Sequence, residues 1–152
     1  MARPRVQLRQ YQPGDFCAFT PRADFAEEMA SNAWDWSAGA PSPRVFTLLA
    51  DGVVLGIGGF APGKAVGDWC AFCFLAEIPR RYWPQLLWRA ETALRRLEFL
   101  DGARRIFASA RISNKAARPT LERLGFKDTG ESFDAAIGEG VGYDLMVRRG
   151  AR

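Results

Sequence analysis

The segment Ile112 to Phe126, reading I-S-N-K-A-A-R-P-T-L-E-R-L-G-F, constrains the fold more than any other stretch of this chain. Gly125 supplies the left-handed conformation that closes a helix, and Phe126 is placed to fold back on Leu121, the hydrophobic contact of a Schellman cap. The spacing therefore predicts a helix that ends at Gly125 with Leu121 and Leu124 facing the core. Its start is less sharply written. Ser113 or Asn114 can cap the first turn, which leaves Pro119 beyond that turn, where it removes a backbone hydrogen bond. A short or bent helix is expected.

At 152 residues with 48% hydrophobic content, the chain can bury one sizeable core and is expected to form a single domain over 1–152. Its apolar runs fall short of the roughly 18 residues of a membrane span, and no signal-type apolar segment follows Met1-Ala2-Arg3-Pro4-Arg5. A soluble, cytoplasmic protein is expected. The odd count of three cysteines argues against a disulfide framework. Cys70 and Cys73 are spaced C-x-x-C, but on a strand such residues point to opposite faces; a buried core role is expected, and no metal. With no histidine in the chain, Ser-His and Cys-His catalysis and the usual zinc-water sites lose their commonest partner.

Taken in order, Val6 to Tyr11 alternates like a half-buried strand, and Gln12-Pro13-Gly14-Asp15 turns it into a short helical segment around Phe16. A helix from Asp24, its candidate cap, presents Phe25, Ala26, Met29 and Ala30 on one face. Trp34, Trp36 and the connector Ser37 to Pro43 follow. Val45 to Ala50 and Val53 to Phe60 read as strands joined by Asp51-Gly52, a strong hairpin signal. Gly56, Gly58 and Gly59 suggest a bulge rather than a nucleotide loop, since no helix follows. Trp69 to Ala76 is apolar without alternation, as for a strand covered on both faces.

The next helix is expected from about Pro84 to Leu100, with Leu86, Leu87, Ala90, Ala93, Leu94, Leu97 and Leu100 in one arc. Trp88 falls on its polar side, either against a partner or under a neighbouring loop. After a turn at Asp101-Gly102, Arg105 to Ala110 forms a strand. Lys127 to Phe133 and Gly142 to Arg148 form two more, joined by a flexible Ala135 to Val141. Residues 80–123 carry eleven basic and four acidic residues, a surplus that favours an anion, whether cofactor phosphates or nucleic acid.

The strand followed by N-x-x-A and then L-G-F, here Asn114, Ala117, Leu124, Gly125 and Phe126, together with the order of elements along nearly the whole chain, resembles the GNAT superfamily of N-acetyltransferases. The resemblance implies an α/β fold of the α+β kind, with a mixed sheet of about six to seven strands flanked by about four helices. It implies that two splayed central strands, Trp69 to Ala76 and Arg105 to Ala110, receive acetyl-CoA. Backbone amides near Phe74, Leu75 and Ala76 would hold the pantetheine and polarise the thioester. The loop Glu77 to Trp83, with Arg80, Arg81 and Trp83, would hold the pyrophosphate, and Asn114 would reach the cofactor from the other side.

Two departures stand out. The family's loop follows Q/R-x-x-G-x-G/A so that glycine amides approach the phosphates; here Arg80-Arg81-Tyr82-Trp83-Pro84-Gln85-Leu86 has no glycine, and Pro84 has no amide hydrogen. Leu121 stands where many members carry the tyrosine that protonates the thiolate, for which Tyr82 or Tyr143 are the substitutes. Asp68 and Glu77 are the candidate general bases, with an ordinary solvated carboxylate as the alternative for each.

Phe19 to Ala30, the glycine-poor loop and the late L-E-R-L-G-F also resemble acetyltransferase-like proteins of short-tailed phages and prophages, some associated with virion assembly. Three functions follow: an acetyl-CoA-dependent N-acyltransferase of a small-molecule or peptide amine, a GNAT-like assembly protein that has lost catalysis, or a nucleic-acid binder. The last ranks lowest, because arginines on a helix are usually a solvated face. The resemblance makes a homodimer the default state, with the last strands or the Trp88 face as the contact.

Overall fold

The computed structural model describes residues 3, 5–30, 34–134 and 142–150, and within these the side chains of 133, 134, 142 and 143 fall outside the description. The predicted linker Ala135 to Val141 also lies outside the described residues. Seven strands form one mixed sheet: β1 (Val6–Gln10), β2 (Val45–Ala50), β3 (Val53–Pro62), β4 (Asp68–Leu75), β5 (Arg105–Arg111), β6 (Lys127–Asp134) and β7 (Gly142–Arg149), in the order β1-β2-β3-β4-β5-β7-β6. The α-helices among the described residues are α1 (Ala23–Ala30), α2 (Trp83–Leu100) and α3 (Ala117–Arg123). Where about four helices were expected there are three, plus 3-10 turns at Asp15–Cys17 and Arg80–Tyr82.

The chain clusters into two compact units, Met1–Ala61 with Cys73–Thr92, and Pro62–Phe72 with Ala93–Arg152. In the first unit β2 has the expected bounds, and β3 starts where expected but runs two residues further, to Pro62. Asp51 (φ 49°) and Gly52 (φ 83°) both adopt positive φ, the geometry of the primed turn whose twist matches the strands. The register shifts at Leu48/Leu49, so the expected bulge is present. Gly56 lies opposite Leu48, and a Cβ there would meet the Phe74 carbonyl oxygen at 2.5 Å. Val6, Leu48, Ala50, Leu75, Ile78 and Tyr82 form a buried cluster with Leu8, Phe25, Leu55, Trp83 and Leu86 packed against it. Beside it Asp15 binds Arg9 through both carboxylate oxygens (2.6 and 2.9 Å), accepts from the Thr47 hydroxyl at 2.5 Å, and tethers the Gln12 N–H at 2.8 Å. Asp24 sits inside the first turn of α1 rather than capping it, because Arg22 engages its carboxylate at 2.7 Å.

In the second unit Ile106 and Met146 are fully buried, and Leu94, Leu97, Ala108, Ala110, Phe126 and Val147 are buried as well. The parallel ladder pairs Asp68, Trp69 and Cys70 with Arg105, Ile106 and Phe107. β7 is antiparallel to both β5 and β6.

Two expectations fail along β4 and α2. Cys70 and Cys73 are both exposed, and only Phe74 and Leu75 of β4 are fully buried. An unbroken apolar run reports what a strand tolerates, whereas its cover comes from neighbours distant in sequence. Leu100, expected on the core arc, is 67% exposed, as is Phe99 at 88%: the last turn of α2 runs past the packing that ends at Leu97. Trp88 is exposed, as its position on the helix predicts.

The helix of Ile112 to Phe126 is short, as expected, at seven residues; its start lies later than expected and its end matches. It begins at Ala117, so Pro119 falls within the first turn, where a missing N–H costs nothing, and no bend is needed. At the other end Phe126 N–H bonds the Leu121 carbonyl (2.9 Å) and Gly125 N–H the Glu122 carbonyl (3.0 Å), with Gly125 at φ 86°. These are the two bonds of the Schellman motif.

Candidate functional site

In the first unit β4 ends at Leu75 and the chain passes through Ala76 to Pro79 into the 3-10 turn Arg80–Tyr82, which leads directly into α2. Six of the predicted cofactor-binding residues, Phe74, Leu75, Ala76, Arg80, Arg81 and Trp83, belong to this unit. Their backbone and side chains have distinct uses. The Ala76 N–H donates to the Leu55 carbonyl at 2.8 Å, and the Leu75 carbonyl accepts from the Arg22 N–H at 2.8 Å. Because alternate residues of a strand direct their peptide groups to opposite edges, the Leu75 N–H points away from β3 while Ala76 is committed to it.

The loop is fixed from below. Ile78 and Tyr82 are buried in the apolar cluster, and Trp83 packs against it. The Tyr82 hydroxyl donates to Asp51 Oδ2 at 2.6 Å, and Asp51 Oδ1 accepts from the Arg5 N–H at 3.1 Å. Those bonds, the tyrosine's first, hold the Asp51 carboxyl below its usual range. Gln85 Oε1 accepts from the Val6 N–H at 2.9 Å. Above these anchors Arg80 and Arg81 are exposed. The Arg81 guanidinium lies 4.7 Å from the Tyr82 ring centroid, and its Nη2 donates to the Tyr82 oxygen at 3.1 Å.

Within the turn the Tyr82 N–H is used by Pro79 and the Trp83 N–H by Arg80. The amides of Arg80 and Arg81 are the leading donors of the turn. Pro84 occupies the first turn of α2, where its lack of an N–H is tolerated. Two cationic side chains beside leading amides suit a diphosphate. Tyr82, considered as a thiolate acid, instead spends its proton on Asp51. Sequence reasoning placed Asp51 in the hairpin turn but missed it as the partner of Tyr82; the one signal was that a tyrosine entering an apolar cluster needs a partner for its hydroxyl.

The candidate base Glu77 is exposed at the first residue after Ala76. In the second unit, Asp68 is engaged by both Arg105 Nε (2.9 Å) and Nη2 (2.7 Å). Asn114 lies in the turn before α3, and its Oδ1 accepts from the Ala117 N–H at 3.2 Å, which leaves Nδ2 as its outward donor. Leu121 is half-buried. Tyr143 pairs with Arg111 in the β5–β7 ladder, and its side chain lies outside the described residues. Among the described residues no group of acidic, cysteine or histidine side chains is arranged to hold a metal, and no helix is long and apolar enough to cross a membrane.

No protein-family profile matches the sequence, and no curated protein matches it. Solved structures do. An acetyltransferase of the GNAT family from Bacillus anthracis superposes with a TM-score of 0.67 at 14% identity, covering 95% of each chain. Ard1 from Thermoplasma volcanium gives 0.68 at 14% identity over 97% of this chain and 99% of that one. The ribosomal-protein-S18-alanine N-acetyltransferase from Escherichia coli gives 0.63 at 19% identity over 97% and 96%. The chain has the GNAT fold.

Proposed function

We propose that this chain is an acetyl-CoA-dependent N-acyltransferase that acts on a small-molecule or peptide amine by direct attack. The observation that carries the reading is the β4 end, 3-10 turn and α2 start, where Arg80 and Arg81 stand exposed over a buried Tyr82. The leading amides and guanidiniums of that turn hold the cofactor's phosphates, and the Leu75 N–H polarises the thioester carbonyl. Glu77 takes the proton from the attacking amine in preference to Asp68, whose carboxylate is already bound by Arg105. The new C–N bond forms as the C–S bond breaks, and the departing thiolate takes a proton. With Tyr82 engaged by Asp51, water supplies that proton.

Calorimetry with acetyl-CoA and CoA tests the binding half: absence of heat at millimolar cofactor refutes the reading. Thiol release with a panel of amines tests the chemistry. The glycine-free loop, Leu121 and the 59% exposed Trp88 support a second reading, a phage or prophage assembly protein that retains the fold without turnover and works through a surface. Acetyl transfer to any amine of the panel at enzymatic rates decides against it.

A further inference from the structure

We infer that Tyr82 and Asp51 are positioning residues that aim Arg81 at a phosphate, doing with side chains what glycine does in a bare phosphate loop. The inference rests on the reading of this loop as the phosphate site. A glycine-rich loop works by letting backbone amides crowd an anion. Here the backbone has lost that freedom, and two arginines offer charge in its place. An exposed arginine is a poor substitute on its own, because it forfeits side-chain rotamer entropy when it binds.

The contacts below Arg81 remove much of that cost in advance. Tyr82 is 5% exposed, so its ring is a fixed platform for the guanidinium stacked 4.7 Å from it. The Tyr82 oxygen accepts from Arg81 Nη2 and donates to Asp51, which accepts in turn from the Arg5 N–H. This chain of three bonds passes through the tight turn between β2 and β3, where Asp51 sits at φ 49°, and ends on the Arg5 backbone just before β1. Arg81 spends one of its five N–H donors on this tether and keeps the others for the ligand. Asp51 and Tyr82 touch no ligand themselves.

The test is calorimetry with CoA, with adenosine 3′,5′-bisphosphate and with pantetheine, on the full chain and on Tyr82→Phe, Asp51→Gly, the double variant and Arg81→Gln. Tyr82→Phe keeps the buried ring, and Asp51→Gly suits a positive φ, so each removes the relay and leaves the fold. The expected result is a roughly fivefold to tenfold loss of affinity for CoA and the bisphosphate in either single variant. Pantetheine affinity is unchanged, and the double variant is no weaker than the singles. In an Arg81→Gln background Tyr82→Phe adds nothing.

Equal losses for all three ligands reduce Tyr82 to a packing role and overturn the inference. So does full phosphate affinity in Tyr82→Phe when Arg81→Gln has lost it, while the loop reading survives. An original chain that binds neither CoA nor the bisphosphate removes both.

Discussion

The two segments that carry the candidate cofactor contacts are held in place by different physics. The loop after β4 is held from below by burial: Ile78 and Tyr82 are both under 10% exposed, and Gln85 and Asp51 add hydrogen bonds to that footing. The segment Asn114 to Leu124 has no buried residue in its helix. Arg118 holds its start, reaching Glu122 (3.1 Å), Asp128 (2.7 Å) and Asp144 (3.2 Å). Arg148 holds its end, donating at 2.5 Å to the Leu124 carbonyl and to Glu98. An apolar footing is insensitive to salt and fails all at once, whereas exposed ion pairs are screened and fail by degrees. The proposed phosphate contacts thus lie on the segment held by burial, and the proposed Asn114 donor on the one held by ion pairs that salt screens.

The largest way to break the contrast is Tyr82→Ala. Emptying a buried aromatic site costs about 3–5 kcal/mol, and urea denaturation should show it as a lower midpoint with the loss of CoA binding. Next is Arg148→Met, which strands the Glu98 carboxylate, a group with only 14% side-chain exposure, and uncaps the Leu124 carbonyl. A loss of about 2–3 kcal/mol is expected, with amide exchange accelerated at 121–126.

Acid sharpens the contrast from the other side, because the first unit has one ionic footing too. Arg9, with Thr47 and the Gln12 N–H, depresses the Asp15 carboxyl from 3.8 to about 2. Since the folded value is lowered, its stabilisation, roughly 2 kcal/mol at neutral pH, is present above the unfolded pKa. It is lost as pH falls from near 3.8 through about 2. Denaturation midpoints measured across that window should fall in the original chain and stay flatter in Asp15→Asn. The smallest effect is Arg118→Gln: no measurable change in midpoint, but faster exchange of the 114–120 amides, an increase that salt mimics in the original chain. Equal acceleration of the 78–86 amides would remove the distinction.

Sequence disclosed what is local. Asp51-Gly52 announced a hairpin whose turn lies where expected, and Gly125-Phe126 announced a cap that forms bond for bond. Both are settled by φ preferences and contacts within a few residues. The helix of Pro119 was misjudged by one turn for a related reason: proline at its third position reads the same as proline in its interior until the first residue is known. What stayed hidden depends on distant partners. Asp51 and Tyr82 are 31 residues apart, and Asp68 and Arg105 are 37 apart, so neither carboxylate's engagement is written near it. The exposure of Cys70 and Cys73 belongs to the same class, since an apolar strand does not specify what lies over it.

The position of β7 has a consequence for a growing chain. It is the last strand in sequence, yet it pairs on one side with β5 and on the other with β6, which reaches the sheet only through it. During synthesis β6 leaves the ribosome before the strand it must pair with, and Met146, wholly buried in the finished protein, follows later still. The β5–β7–β6 part of the sheet can form only once β7 has been made. Until then one edge of β5 and the ladder groups of β6 stand unpaired, and an unpaired strand edge is a template for other chains.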